Sequence, residues 1–253
     1  MIPPVVVRYP HGRSGTVAPH RADGGSVHHT TTRPTTALSV ALREGTRAEH
    51  RAAEGTGFVE DLLTGRLDVA AYTDLAVQQH AIYTALEGAA TELVRHDQRA
   101  QTVVLTELHR APAIDDDLRH LLARTPGERP AVRAATRDYA DRLRSTRTHL
   151  TRWVAHAYTR YLGDLAGGQV IHRALQQHYG LADAGLSFYR FDGPRTIKPL
   201  RDLYRARLDA LALSAAEQDA VVTEARLAFG HNRAVLAALG TDHRTRSAAA
   251  SCA

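Results

Sequence analysis

Gly163, Gly167 and Gly168 surround one carboxylate, Asp164, in a stretch that otherwise has helical spacing. Each glycine inside a helix costs about 1 kcal/mol relative to alanine. Three of them mark a place where the backbone must bend or come close to something. Leu162, Leu165, Val170, Ile171, Ala174 and Leu175 keep a helical period through the run, which favours one kinked helix. The residues alone leave three readings open: a C-cap at Gly167-Gly168, tight helix packing at Gly163 and Gly167, or a backbone lying against a flat ligand. A phosphate loop is excluded, because no Gly-Lys-Ser/Thr follows.

Two further groupings could do chemistry. On a helix, Arg43, His50 and Glu54 fall on one stripe, with Arg47 nearby. A neutral imidazole is a good iron ligand, and Glu54 is spaced to accept the other ring N–H of His50. The same pattern also suits a solvated helix face. Arg201, Tyr204 and Arg205 put two guanidiniums one turn apart, able to clamp carboxylates or simply to face water.

The elements that must position these groups are helical. Periodic runs cover roughly 68–95, 99–109, 115–123, 130–149, 151–179, 199–211 and 214–239, after a helical start near Ala37. Residues 181–198 read as a structured loop, and no convincing alternating strand is present. The expectation is an all-α fold with eight or so helices around one core. Residues 1–36 hold five of the ten prolines and are expected to be a disordered extension. Residues 37–240 form the domain, and 241–253 a disordered tail.

The formal net charge is +5. Arg8, Arg13, Arg21 and Arg33 against Asp23 place +3 in residues 1–36, and Arg244 and Arg246 against Asp242 place +1 in the tail. The remaining +1 on 37–240 is a poor footprint for nucleic acid. The single cysteine, Cys252, fits a reducing compartment, so a cytoplasmic protein is expected. No apolar run reaches the ~18 residues of a membrane span, so no membrane anchor is expected.

The run from Val154 to Val170, which contains His156-Ala157-Tyr158-Thr159-Arg160-Tyr161-Leu162-Gly163-Asp164-Leu165-Ala166-Gly167-Gly168-Gln169, resembles the haem oxygenase signature almost residue for residue. Further blocks follow in that family's order: Thr46–His50 with Glu54 and Phe58, Ile82–Glu87, Leu186–Phe191, Leu203–Arg205 and Ala228–Asn232. The similarity spans about 37–240. Ala166 stands where the family often has Ser, and Arg43 and Arg201 where mammalian relatives have Lys.

The resemblance implies the all-α haem oxygenase fold, with haem between a proximal and a distal helix. His50 would be the proximal iron ligand, with Glu54 beside it. Gly163, Gly167 and Gly168 would make room for the haem face and dioxygen. Asp164 would anchor a distal water network that Tyr83, Tyr139, Arg160 and Asn232 extend. Arg43, Tyr158, Arg201 and Arg205 would hold the haem propionates. The implied activity is oxidative cleavage of haem, as substrate and cofactor, to biliverdin, carbon monoxide and ferrous iron. Electrons would come from a ferredoxin or flavoprotein reductase, and a monomer is expected. The rival reading is a non-catalytic haem-binding or haem-carrier protein on the same fold. An all-α hydrolase of thiaminase type does not fit the signature run.

Overall fold

The computed structural model describes residues 36–54, 57–125, 127–191 and 196–251, and omits the side chains of Glu54 and of 244–251. The extension expected at residues 1–36 therefore lies almost wholly outside the described residues. Every regular element among the described residues is helical, as expected.

The long central helix α4 runs Val69–His96. Asp68 starts it by accepting a hydrogen bond from the Ala71 amide at 2.8 Å, and Arg95 and His96 occupy its last turn, where cations suit the helix dipole. It is packed on most sides, by α6 (Ala111–Arg124), α7 (Ala134–Ser145) and α8 (Leu150–Ala157). That is why its buried residues do not form a single stripe. The indole of Trp153 in α8 donates to the Leu86 carbonyl at 3.0 Å and ties the two helices together.

The glycine run proves continuous, with a different kink. α8 passes through a π-helical segment, Tyr158–Leu162, into α9, Gly163–Tyr179. The widened turn thus precedes the glycines. Arg160, Tyr161 and Leu162 within it are buried. Such π segments occur often at functional sites. α9 ends at Gly180, whose φ of 59° is left-handed, so the C-cap lies there and not at Gly167-Gly168.

Two other expectations are corrected. The stripe through Arg43 and His50 crosses a junction: α1 (Leu38–Gly45) meets α2 (Arg47–Glu54) at Thr46, whose hydroxyl bonds back to the Leu42 carbonyl at 2.7 Å. The tail expected to be disordered from 241 continues the last helix, α11, Ala215–Ser251. Its hold there is polar, which an apolar period does not register. Asp242 pairs with Arg133 at 3.1 Å. Buried His243 lies 3.0 Å from Asp74 and packs its ring against Phe58 in α3 (Gly57–Leu63).

The 99–109 run is broken, while 115–123 extends to all of α6 and 181–198 is largely loop as expected. The 99–109 run is α5 (Ala100–Val103) and a 3-10 turn, Thr106–Leu108. The stretch 181–198 holds a 3-10 turn, Ser187–Tyr189, before α10 (Ile197–Asp209).

Candidate active site

The distal group is one connected set. Tyr83, buried on α4, donates its hydroxyl to Asp164 Oδ2. Arg160, from the π segment, donates Nε–H to that hydroxyl at 3.2 Å and Nη1–H to Asn232 Oδ1 on α11 at 2.6 Å. Its guanidinium also sits over the Tyr83 ring, 4.8 Å from the centroid. Arg160, in the middle of the widened turn, and Asp164, in the first turn of α9, thus meet on the same phenol.

Burial pushes the Asp164 carboxyl up to about 6, although Arg160, the Tyr83 hydrogen bond and Arg110 all favour its anion. The same burial carries the Tyr83 phenol well above its usual range. Tyr139 is close by without joining the chain of bonds. It stacks flat on His231 with centroids 5.0 Å apart, and its buried hydroxyl finds no protein partner among the described residues. Such a hydroxyl is suited to an ordered water. Burial lifts its pKa to about 12.

The glycines divide into two kinds. A Cβ added at Gly163 or Gly167 would meet nothing within 4 Å, so both leave open space beside Asp164. Gly168 departs from the expectation. It is buried, and a Cβ there would stand 3.2 Å from the Tyr189 ring, so its bareness serves helix packing.

His50 lies on α2, half-buried, with its ring edge-on to Phe229 at 6.0 Å. Phe229 and Asn232 are three residues apart on α11, so one helix touches both His50 and the Arg160 network. The Glu54 side chain lies outside the described residues. Arg43 is exposed and 3.8 Å from Glu44. Arg201 and Arg205 share Asp202, at 3.9 and 3.6 Å. The buried Nε of Arg201 has no hydrogen-bond partner among the described residues, and its contact with Asp202 is a long one. Tyr158 is half-buried at the start of the π segment. α1 packs on α10, where Ser39 bonds Asp209 through its amide at 2.7 Å and its hydroxyl at 2.9 Å. Arg43 and Arg205 are each four residues inward from that tie.

Sequence reasoning missed two groups around this set. Arg110 is buried, stacks over Phe191 at 4.1 Å and bonds the Phe188 and Leu108 carbonyls at 3.3 and 3.2 Å. Its charge favours the Asp164 anion. Glu87, one turn beyond Tyr83, accepts from the Arg110 and Ala111 amides, and burial lifts its pKa to about 7. Glu87 closes the Ile82–Glu87 block, which was the available signal. Arg110 has none, since its partners are loop carbonyls.

A further buried group braces the distal helix. His156 bonds Glu224 of α11 at 2.9 Å, and Arg142 pairs with the same carboxylate. Burial alone would raise the Glu224 pKa, but the two partners outweigh it and bring it to about 2.

Among the described residues no helix is long and apolar enough to cross a membrane. The family profile described as Heme oxygenase matches residues 36–238. Heme oxygenase 2 of Rattus norvegicus is 34% identical over 205 residues, 80% of this chain and 65% of its own length. The chain thus spans just under two thirds of that relative. Heme oxygenase 1 of Synechocystis is 33% identical, covering 77% of this chain and 81% of its own. The solved structure of heme oxygenase-1 from Synechocystis in complex with heme superposes with a TM-score of 0.78 and 30% identity, over 85% of this chain and 98% of that one. Heme oxygenase from Leptospira interrogans gives 0.73 and 29%, over 80% and 99%. With the matched profile, this identity and the shared helical fold, the chain belongs to the haem oxygenase family.

Proposed function

We propose that the chain cleaves haem oxidatively to biliverdin, carbon monoxide and ferrous iron. The observation that carries this reading is the joined set Tyr83–Asp164–Arg160–Asn232 beside two glycines with open space over them. A carrier needs a pocket and an axial ligand. It has no use for a buried carboxylate held by a phenol and an arginine.

Haem, as substrate, would supply the iron at which dioxygen is reduced. The chain's own residues do the rest. His50 offers a neutral ring nitrogen to the proximal face, and Glu54 is spaced to orient it. Gly163 and Gly167 let the distal backbone approach a flat ring. Asp164, fixed by Tyr83, holds ordered water over that face and passes protons through it. Arg160 and Asn232 keep Tyr83 aimed, and Tyr139 offers its unpartnered hydroxyl to the same water. Arg201, whose buried Nε lacks a hydrogen bond, binds a propionate together with Arg43, Tyr158 and Arg205.

Electrons come from a ferredoxin or flavoprotein reductase, and the protein works as a cytoplasmic monomer. Purified protein loaded with haem and given a reductant in air is expected to lose the haem spectrum and release biliverdin and carbon monoxide. An intact spectrum without either product would support the carrier instead. His50→Ala should change the haem spectrum and stop turnover; an unchanged spectrum would mean that another group binds the iron.

A further inference from the structure

The outer face of the α4–α7 pair carries a groove that the proposed active site does not use. Its volume is about 660 Å³, within the range of small-molecule sites. Ala81, Ala85, Gly88 and Ala89 of α4 and Ala140 of α7 make an apolar floor. A Cβ at Gly88 would meet nothing within 4 Å, so the groove is open along α4. Tyr83 and Tyr139, on the same two helices, are not among its lining residues.

Three guanidiniums rim the groove: Arg137, Arg144 and Arg147. Their partners within the chain use only part of each fork. Arg137 donates Nη1–H to the Val132 carbonyl, and Arg147 donates Nη1–H to the Arg144 carbonyl at 3.3 Å. Arg144 stands 3.3 Å from Asp141. On the α4 side, His80 lies 3.8 Å from Asp115. Asp115 belongs to α6 and neither it nor Asp141 lines the groove, so among the described residues its lining carries three guanidiniums and no carboxylate.

We propose that this groove is a second binding site, for a small amphipathic carboxylate. Its apolar body would cover the alanine floor, and its carboxylate would take the free N–H groups of Arg144 and Arg147, one turn apart. Two sources have this chemistry: a fatty acid, and the linear tetrapyrrole that the proposed reaction releases. The second source rests on the oxygenase reading.

The test uses the full chain with one equivalent of ferric haem and no reductant. Laurate and biliverdin are titrated separately by calorimetry while the haem spectrum is followed. One additional site per chain is expected for at least one of them. The double variant R144E/R147E should weaken it about tenfold or more. Gly88→Trp, which fills the groove from an exposed position, should abolish it. Haem spectrum and turnover should not change in either variant. Laurate alone binding would assign a lipid carboxylate, and biliverdin alone the product. No additional site for either probe, or unchanged affinity in both variants, would overturn the proposal. Failure of haem turnover with groove binding intact would count against the oxygenase reading only.

Discussion

Arg160 and Asn232 meet at 2.6 Å across the gap between the π segment and α11. The bond joins a guanidinium to a neutral amide oxygen and fixes the cation that steers Tyr83. Removing the amide should free Arg160 without opening the core, since Asn232 is only half-buried. A hydrogen bond to a charged group is worth about 1.5–3 kcal/mol, so Asn232→Ala should lower biliverdin formation by about tenfold or more, with haem affinity little changed. Steady-state assays beside haem titrations would check this. A variant as active as the parent would remove Asn232 from the network.

Asp164 should set an acid limit on turnover. Its carboxyl is pushed up to about 6, and its anion is the stronger acceptor for the Tyr83 hydroxyl and the form able to take a proton from water. Below that pH the group is protonated, the charge-assisted character of the bond is lost, and the carboxyl no longer serves as a base. Activity should therefore rise with pH through about 6, and Asp164→Asn should abolish that limb while leaving haem bound. A rate profile unchanged in the variant would contradict the role.

The three distal glycines should respond differently to alanine. Gly163→Ala and Gly167→Ala meet no neighbour, so each should stabilise the apoprotein by about 1 kcal/mol through helix propensity, or about 2–4 °C in Tm. Both should weaken haem binding. Gly168→Ala presses on Tyr189 and should lower Tm. Thermal melts of the three apo variants, with haem titrations, separate the two classes.

Glu224 should govern acid stability. Its folded pKa, about 2, lies below the ordinary 4.5. Its stabilisation is therefore complete above about 4.5 and lost as pH falls toward 2. Glu224→Gln leaves Arg142 without its counter-charge and weakens the bond to His156, which burial keeps neutral, and should cost about 3 kcal/mol at neutral pH. The variant should also show a flatter stability profile between pH 4.5 and 2, read by denaturant titrations across that range.

The all-α fold and the contents of the distal run were legible because both are written locally. Helical period is a short-range signal, and three glycines around one acid stand out against it. His50 was legible only beside the resemblance, since one histidine among fifteen carries little weight. What escaped depends on distant partners. Gly168 is bare because of Tyr189, which a sequence separated by a loop does not announce. α11 continues past residue 240 because Asp242 and His243 find Arg133 and Asp74, more than a hundred positions earlier. The π segment left no trace in apolar spacing, because its buried residues satisfy either helix type.

The two walls of the proposed haem site are unequally anchored. The distal wall is bolted to α11 through Arg160 and through His156, and to α4 through Tyr83. α2, on the other side, buries no side chain among its described residues. It rests on the edge of Phe229 and on Arg226, which reaches the Gly45 carbonyl at 2.8 Å and stands 3.8 Å from Glu49. α2 is therefore the more loosely held of the two walls, and its amides, not those of α8 or α9, are expected to be the ones that solvent deuterium reaches first.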